Sequence, residues 1–451
     1  MLSLTKFGNI LFWRGTLMWF SAMVLGYGMR VNMSMAIVVM TDSSSDDQLF
    51  CDSKVFLNSS QDFNNYLFQY FNWDMQTQSV ILSSFFWGYI MLQILAGELA
   101  AKVGGRILII MLKQNVPFQG GWQLVCTCRV IQGLSQGFLM PSIYNLVGKW
   151  APVDEKSRIG AVINSGSQLG NAIQMMVSGF IAATWGWQAI FYVNGIAGVV
   201  WVIAYYTVGA DTPQKSKLIS DEERLYIQSR HDGEQYKLKT PWKAIWTSTP
   251  FVFLIVLHCS QNWGYWTLMT EMPTYMKKML NVDIKNGVMS SLPYLAVYLL
   301  SFPFGFLADY LPNKKWLSVT ATRKLSNSIG FYGPAISLIG LSYVPAGHVT
   351  LAVALLTIVV GLNLVHLDMS PNFAGTLLGI TNMTANIMSI IAPLVAGVIL
   401  KEENDPTEWR KVFYIASVIW IAGNTLFLIF GTSEKQAWND PPEDNCQETG
   451  R

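Results

Sequence analysis

Apolar runs of membrane-crossing length recur from one end of this chain to the other, joined by short polar segments. A bilayer core of about 30 Å takes about 20 residues of helix to cross, and within it every backbone N–H and C=O must be paired inside the protein. A chain built from such runs folds as a bundle of spanning helices. The runs predict spans over residues 15–40, 76–99, 122–147, 159–185, 188–208, 250–270, 288–308, 318–344, 349–365, 375–400 and 412–430. Composition agrees, since only 13% of the 451 residues are charged and 51% are hydrophobic, against about 25% charged in an average soluble domain. The fold class expected is all-α and polytopic. A net charge of +2, spread over several loops, gives no reason to expect a nucleic-acid partner.

Two arginines break the apolar pattern. Arg129 lies inside the 122–147 run, and Arg30 lies well inside the first. A charge at the bilayer centre costs a few kcal/mol at least, so it must face a wet cavity or a partner rather than lipid. On one helix, Arg129, Gln132 and Gln136 fall at i, i+3 and i+7 and share a stripe, with Gly133 and Gly137 beside them and Ile131, Leu134 and Phe138 elsewhere. Such a stripe lines a solute pathway, or else holds an arginine satisfied by carbonyls of a neighbouring helix. In the 159–185 span, Asn164, Gln168 and Asn171 form a second polar face, and Gly166 and Gly170 have the small-xxx-small spacing of closely packed helices.

The polar segments set the organisation. Residues 1–210 read as an N-terminal bundle, 211–248 as a charged linker, 249–432 as a C-terminal bundle and 433–451 as a polar tail. Within the linker, Ser220-Asp221-Glu222-Glu223 has the residues of a helix start. The loop 41–74 is acidic and carries the sequon Asn58-Ser59-Ser60, which suits a glycosylated outward loop. Two further sequons, at Asn32 and Asn382, lie within spans. With the N-terminus inside, most Lys and Arg fall in inward loops. The small-residue and cation turn after the second span recurs after 288–308, where Asp309 precedes Lys314 and Lys315, and this echo suggests two similar halves. Five cysteines follow no metal spacing, so no metal or other cofactor is expected.

Several stretches carry a family likeness: Gly28-Met29-Arg30-Val31-Asn32-Met33-Ser34, Ser84-Phe85-Phe86-Trp87-Gly88-Tyr89-Ile90, Lys149-Trp150-Ala151-Pro152, Pro273-Thr274-Tyr275-Met276, Ser290-Ser291-Leu292-Pro293-Tyr294-Leu295 and His366-Leu367-Asp368. In order and over nearly the whole chain, they resemble the anion-transporting branch of the major facilitator superfamily, which contains sialin, the vesicular glutamate transporters and the type I phosphate cotransporters. The insect phosphate-cotransporter members are the most similar. The resemblance implies two six-helix bundles, about twelve helices, around a central cavity that opens alternately to each side. It places Arg30 and Arg129 at the family's cavity arginines, where two guanidinium groups suit a carboxylate or phosphate.

Three departures qualify the likeness. Gln132 and Gln136 stand where sialin-like members have glutamates implicated in proton coupling. Leu82 and Gln261 replace a histidine and an arginine of the vesicular glutamate transporters, so glutamate is not the expected substrate. About ten residues are missing from each of the third and tenth spans, against the ~20 a span needs, as an altered gene model or splice form would produce.

The function expected is secondary active transport of a small anion, inorganic phosphate or an organic anion, coupled to sodium or protons. The alternative is a transport-inactive paralogue or solute sensor on the same fold. The substrate-binding set comprises Arg30, Arg129, Gln132, Gln136, His258, Tyr294 and Asn382. His258 reads as a hydrogen-bonded core residue sooner than a proton carrier, Asn164, Gln168, Asn382 and Asn386 equally as helix-to-helix bonds, and Tyr294 and Tyr298 as aromatic packing. Glu271 reads as a solvated charge at the outer end of its helix. An enzyme is not expected, because no set of groups with catalytic geometry accompanies His366. The partners expected are a small anion and the lipid bilayer, with the chain a monomer at the plasma membrane.

Overall fold

The computed structural model describes residues 10–41, 71–103, 121–151, 156–216, 219–230, 241–282, 287–345, 347–361 and 374–432, with 434, 436 and 438. Asn58 and its sequon, Cys51, the shortened third span at 104–120, residues 362–373 with His366 and Asp368, and most of the tail lie outside the described residues. What is described is helical, with no strand among those residues. The first half holds α1 (Ile10–Met40), α2 (Met75–Val103), α3 (Gly121–Gln136), α4 (Leu139–Trp150), α5 (Lys156–Trp185) and α6 (Trp187–Val208). Two short helices, α7 (Asp221–Arg230) and α8 (Trp242–Thr247), occupy the connection. The second half holds α9 (Thr249–Lys278), α10 (Gly287–Asn313), α11 (Val319–Leu341), α12 (Val349–Gly361), α13 (Ala374–Ile399) and α14 (Pro406–Phe430).

The chain departs from the sequence reading at residues 122–147, expected as one helix and found as two. The break falls at Gly137 and Phe138, ahead of Pro141. A proline inside a helix lacks the N–H that would bond the carbonyl four residues earlier, here that of Gly137, and its ring collides with that carbonyl. In the first turn of a new helix the missing donor costs nothing, so the helix restarts at Leu139. Arg129, Gln132 and Gln136 all precede the break and keep their common stripe, buried together with Val125, Cys126 and Gly133, while Ile131 is exposed. Between α5 and α6 the chain turns at Gly186, whose φ of 81° lies in the left-handed region that a residue without Cβ adopts freely.

Among the described residues, four helical stretches are long and apolar enough to cross a membrane by composition alone: Gly15–Met40, Trp187–Thr207, Gly379–Ile399 and Pro406–Phe430. Two further apolar stretches, Ser291–Pro303 and Val349–Gly361, are shorter, and α3 carries a polar stripe that faces the protein interior. The apolar faces turned outward belong to lipid; on α6, Ile196, Val200, Ile203 and Tyr206 are all exposed.

Without water to squeeze out, helices in a bilayer associate through close packing, and glycines set the approach. An added Cβ at Gly166 or Gly170 on α5 would meet the backbone of Phe20 or Val24 on α1, as their spacing predicts. Gly88 on α2 and Gly133 on α3 are reciprocal: a Cβ on either would strike the other helix's backbone, at Val130 and Phe85 respectively. In the second half α9 packs on α13 and α14, α11 on α14, and α10 on α12. The halves meet where α2 lies against α13, α5 against α10 and α1 against α9.

Candidate anion-binding site

The close α2–α3 crossing brings the two buried arginines to one aromatic ring. The guanidinium carbons of Arg30 on α1 and Arg129 on α3 each lie 5.0 Å from the centroid of Phe85, which bounds their separation at about 10 Å. At an effective dielectric of 20, two like charges at that distance repel by roughly 1.7 kcal/mol, and by more if closer. Both residues are buried, at 5% and 3% exposure, and no carboxylate among the described residues pairs with either. Two desolvated cations without counter-ions make a site that an anion stabilises.

Arg129 is held from two sides. Its Nη1 donates to Gln132 Oε1 at 2.9 Å and its Nη2 to the Arg30 carbonyl at 3.3 Å. Gln132 in turn donates through Nε2 to the Met29 carbonyl at 2.9 Å, so the helical i, i+3 pair on α3 is fastened to α1. The bland alternative for Arg129, bonding to a neighbouring helix's carbonyl, is thus part of the picture, yet it uses two of the five N–H groups a guanidinium carries. The Nε–H of each arginine has no acceptor among the described residues. Arg30 sits in an aromatic cage, 4.4 Å from the ring centroid of Tyr27, 4.6 Å from Tyr89 and 5.8 Å from Trp266. Such faces stabilise a cation while leaving its N–H edge for a ligand.

The remaining residues of the predicted set are brought together only in part. Gln136 is buried one turn beyond Gln132 with its Oε1 unpartnered. Tyr294 on α10 is buried, its hydroxyl without a partner, and lies within electrostatic range of Tyr265. Tyr265 in turn lies within range of Arg30 and Tyr27, so Tyr294 joins the cluster through it. His258 is buried on α9 with Nδ1 unpartnered, and it falls seven residues before Tyr265, on the same stripe but about 10 Å along the helix. Asn382 is half-buried on α13; its backbone carbonyl accepts from Asn386 Nδ2 at 2.7 Å, and nothing links its side chain to the arginines. Gln168 and Asn171 do reach across the halves. Asn171 Nδ2 donates to the Tyr265 hydroxyl at 3.0 Å, and that hydroxyl faces Gln168 Oε1 at 3.5 Å. Asn164, by contrast, is exposed and exchanges bonds with Tyr144.

Two features escaped the sequence reading. One is the aromatic cage, although Phe85 and Tyr89 at i, i+4 and Tyr27 three residues before Arg30 were available as a signal. The other is Glu271, expected as a solvated charge and found 3% exposed with Oε1 unpartnered. Its helix continues to Lys278 instead of ending near Thr270, which carries Glu271 inside the bundle under Trp409 and Phe413.

Comparison with known proteins bears on what this arrangement serves. The profile of the Major Facilitator Superfamily matches residues 18–393. The chain is 40% identical over 462 residues to the "Putative inorganic phosphate cotransporter" of Drosophila ananassae, covering 95% of this chain and 94% of that protein. It is 36% identical to sialin of Homo sapiens, over 91% and 87% of the two chains. Among solved structures, a bacterial homolog of the human lysosomal transporter Spinster, in an inward-facing and occupied conformation, superposes with a TM-score of 0.63 at 11% identity, over 94% and 97% of the chains. At that identity the likeness concerns the fold.

Proposed function

This chain belongs to the Major Facilitator Superfamily, in the branch that holds the insect phosphate cotransporters, sialin and the vesicular glutamate transporters, and on that premise we propose that Arg30 and Arg129 are the groups that bind its transported anion. The protein is a multi-pass membrane protein and a secondary transporter of small anions that works by alternating access. The observation that carries the site assignment is the pair of buried, carboxylate-free guanidinium groups on either side of Phe85. Gln132 fixes the plane of Arg129, and the cage of Tyr27, Tyr89 and Trp266 fixes that of Arg30. An anion entering between them accepts the remaining N–H groups and relieves the repulsion between the cations. Charge-assisted bonds of this kind are about twice as strong as neutral ones.

Inorganic phosphate is the substrate we favour, supported by the similarity to the Drosophila protein, and sodium or protons are the coupling ions. Gln136 from the first half and Tyr294 and His258 from the second line the pathway in this reading. Uptake of radiolabelled phosphate by cells expressing the chain, with sodium present or replaced and at neutral and acidic pH, tests it. Arg129→Ala is expected to abolish uptake with surface expression intact, and uptake retained in that variant would refute the role. Phosphate binding by the delivered protein without flux would favour the solute-sensor alternative that Gln132 and Gln136 raise.

A further inference from the structure

A second buried ionisable group lies outside the arginine site. Glu271 borders a narrow cavity of about 10 Å³ between α9, α12 and α14. Thr267 and Tyr275 of α9, Leu356 of α12, and Trp409 and Phe413 of α14 line it. Thr267 donates its hydroxyl to the Trp263 carbonyl at 2.7 Å, and Glu271 Oε1 has no partner. Neither α12 nor α14 presents a charged group to the cavity. Among the described residues, the charged group within electrostatic range of Glu271 is Glu403, in the connection after α13, and Lys278 lies seven residues along α9 on the same stripe. Lys278 is already paired, with Glu403 Oε2 at 2.9 Å. A carboxylate buried without a counter-ion costs several kcal/mol, so this site accommodates the neutral acid. A metal ion held by protein oxygens gathers several of them, and the lining offers one carboxyl and hydroxyls.

Bonds that join the two halves lie next to the cavity through Trp409. Gln78 of α2 donates through Nε2 to Glu403 Oε1 at 3.0 Å and to the Trp73 carbonyl at 3.0 Å, and Trp409 donates to the Glu403 carbonyl at 2.9 Å. These bonds lie at the end where residues 71–74 enter α2, the outward end by the distribution of Lys and Arg. Parting the halves there would break the Gln78–Glu403 bond beside Trp409, which lines the Glu271 cavity.

We propose that Glu271 is the proton-binding group of the transport cycle, taking up one proton when the Gln78–Glu403 contact is open and holding it as the neutral acid while that contact is closed. The proton adds to a carboxylate oxygen and leaves from it to water on the opposite side, with no other bond made or broken. This rests on the reading of the chain as an ion-coupled anion transporter, and it separates the coupling group from the arginines. It also supplies a carboxyl in a chain that has Gln132 and Gln136 on the arginine stripe.

The test uses the full chain purified into liposomes, with inorganic phosphate and, in parallel, glutamate as probe anions and an internal pH dye. Wild type is expected to show anion counterflow and anion-coupled proton entry. Glu271→Gln is expected to keep counterflow and to lose proton entry and pH-gradient-driven accumulation at least tenfold. Proton entry retained in Glu271→Gln, or counterflow in wild type without any coupled proton movement, would overturn the assignment. Absence of counterflow in wild type for both anions would instead strike the transporter reading and take the assignment with it. Should Glu271→Gln fail to fold, dicyclohexylcarbodiimide gives a measurement on wild type. The protonated carboxyl adds across its C=N bond and rearranges to a stable N-acylurea. Mass spectrometry is expected to place this on Glu271, with proton entry blocked in step, and an unmodified Glu271 would overturn the proposal.

Discussion

Arg129→Lys separates charge from geometry at the anion site. A guanidinium has five N–H donors and an ammonium three. Arg129 spends two on Gln132 Oε1 and the Arg30 carbonyl, which leaves three for an anion, including the unpartnered Nε–H. A lysine that kept both internal bonds would have one left. Two charge-assisted hydrogen bonds are then lost, at about 1.5–3 kcal/mol each, so even the low end of about 3 kcal/mol weakens binding on the order of 100-fold. The assay is the concentration dependence of phosphate counterflow, where KM should rise by about that factor while the protein still reaches the membrane. A thermal-shift measurement supplies an independent reading. Phosphate at ten times the wild-type Kd should stabilise wild type by about 1.4 kcal/mol and the variant by less than about 0.1 kcal/mol. A KM within about threefold of wild type, a difference under about 1 kcal/mol, would refute the reasoning and leave Arg129 a point charge whose fork does nothing.

Other substitutions probe the framework that holds the site. Gly133→Leu drives a side chain into the Phe85 backbone and should cost about 1–3 kcal/mol or more, lowering the melting temperature and the yield of monodisperse protein; Gly160→Ala, with nothing within 4 Å, should leave both unchanged or raise them, and equal behaviour of the two variants would refute the close-approach account. Tyr265→Phe removes the hydroxyl that Asn171 reaches at 3.0 Å across the halves, and thermal unfolding should show a loss of about 1 kcal/mol. Asp405 caps α14 by accepting from the Thr407 hydroxyl and N–H, and these bonds hold its carboxyl below the usual aspartate range. The capping contribution is therefore present at neutral pH and lost as pH falls through the folded-state value. Melting temperatures of wild type and Asp405→Ala should begin to converge as pH drops below about 3.9 and meet below the lower folded-state value, where a persisting gap would refute the charged cap.

Local features carried over from sequence to structure because they depend on neighbours within a turn or two. The stripe of Arg129, Gln132 and Gln136 follows from the helical period alone, and it survived the break that Pro141 imposes one residue beyond its end. Gly166 and Gly170 face α1 for the same reason, and Ser220 precedes α7 as its residue type dictates, its carbonyl accepting from Arg224 N at 3.0 Å. Where the reading failed, the deciding contact came from far along the chain. Glu271 looked like a rim charge because nothing near it in sequence reveals that Trp409 and Phe413 will cover it.

The sequence by itself determined that this is a bundle of membrane helices, which family it belongs to, and that two cations must be hidden from lipid, because hydropathy, period and the cost of a bare charge are properties of the segment. Only the tertiary structure decided that Arg30 and Arg129 face one ring, that aromatic residues from α1, α2 and α9 enclose Arg30, and that the carboxyl of Glu271 is sealed apart from both. Those outcomes depend on how closely α2 and α3 approach at Gly88 and Gly133 and on which faces of the two halves meet. Such contacts join residues tens to hundreds of positions apart, beyond the reach of any periodicity.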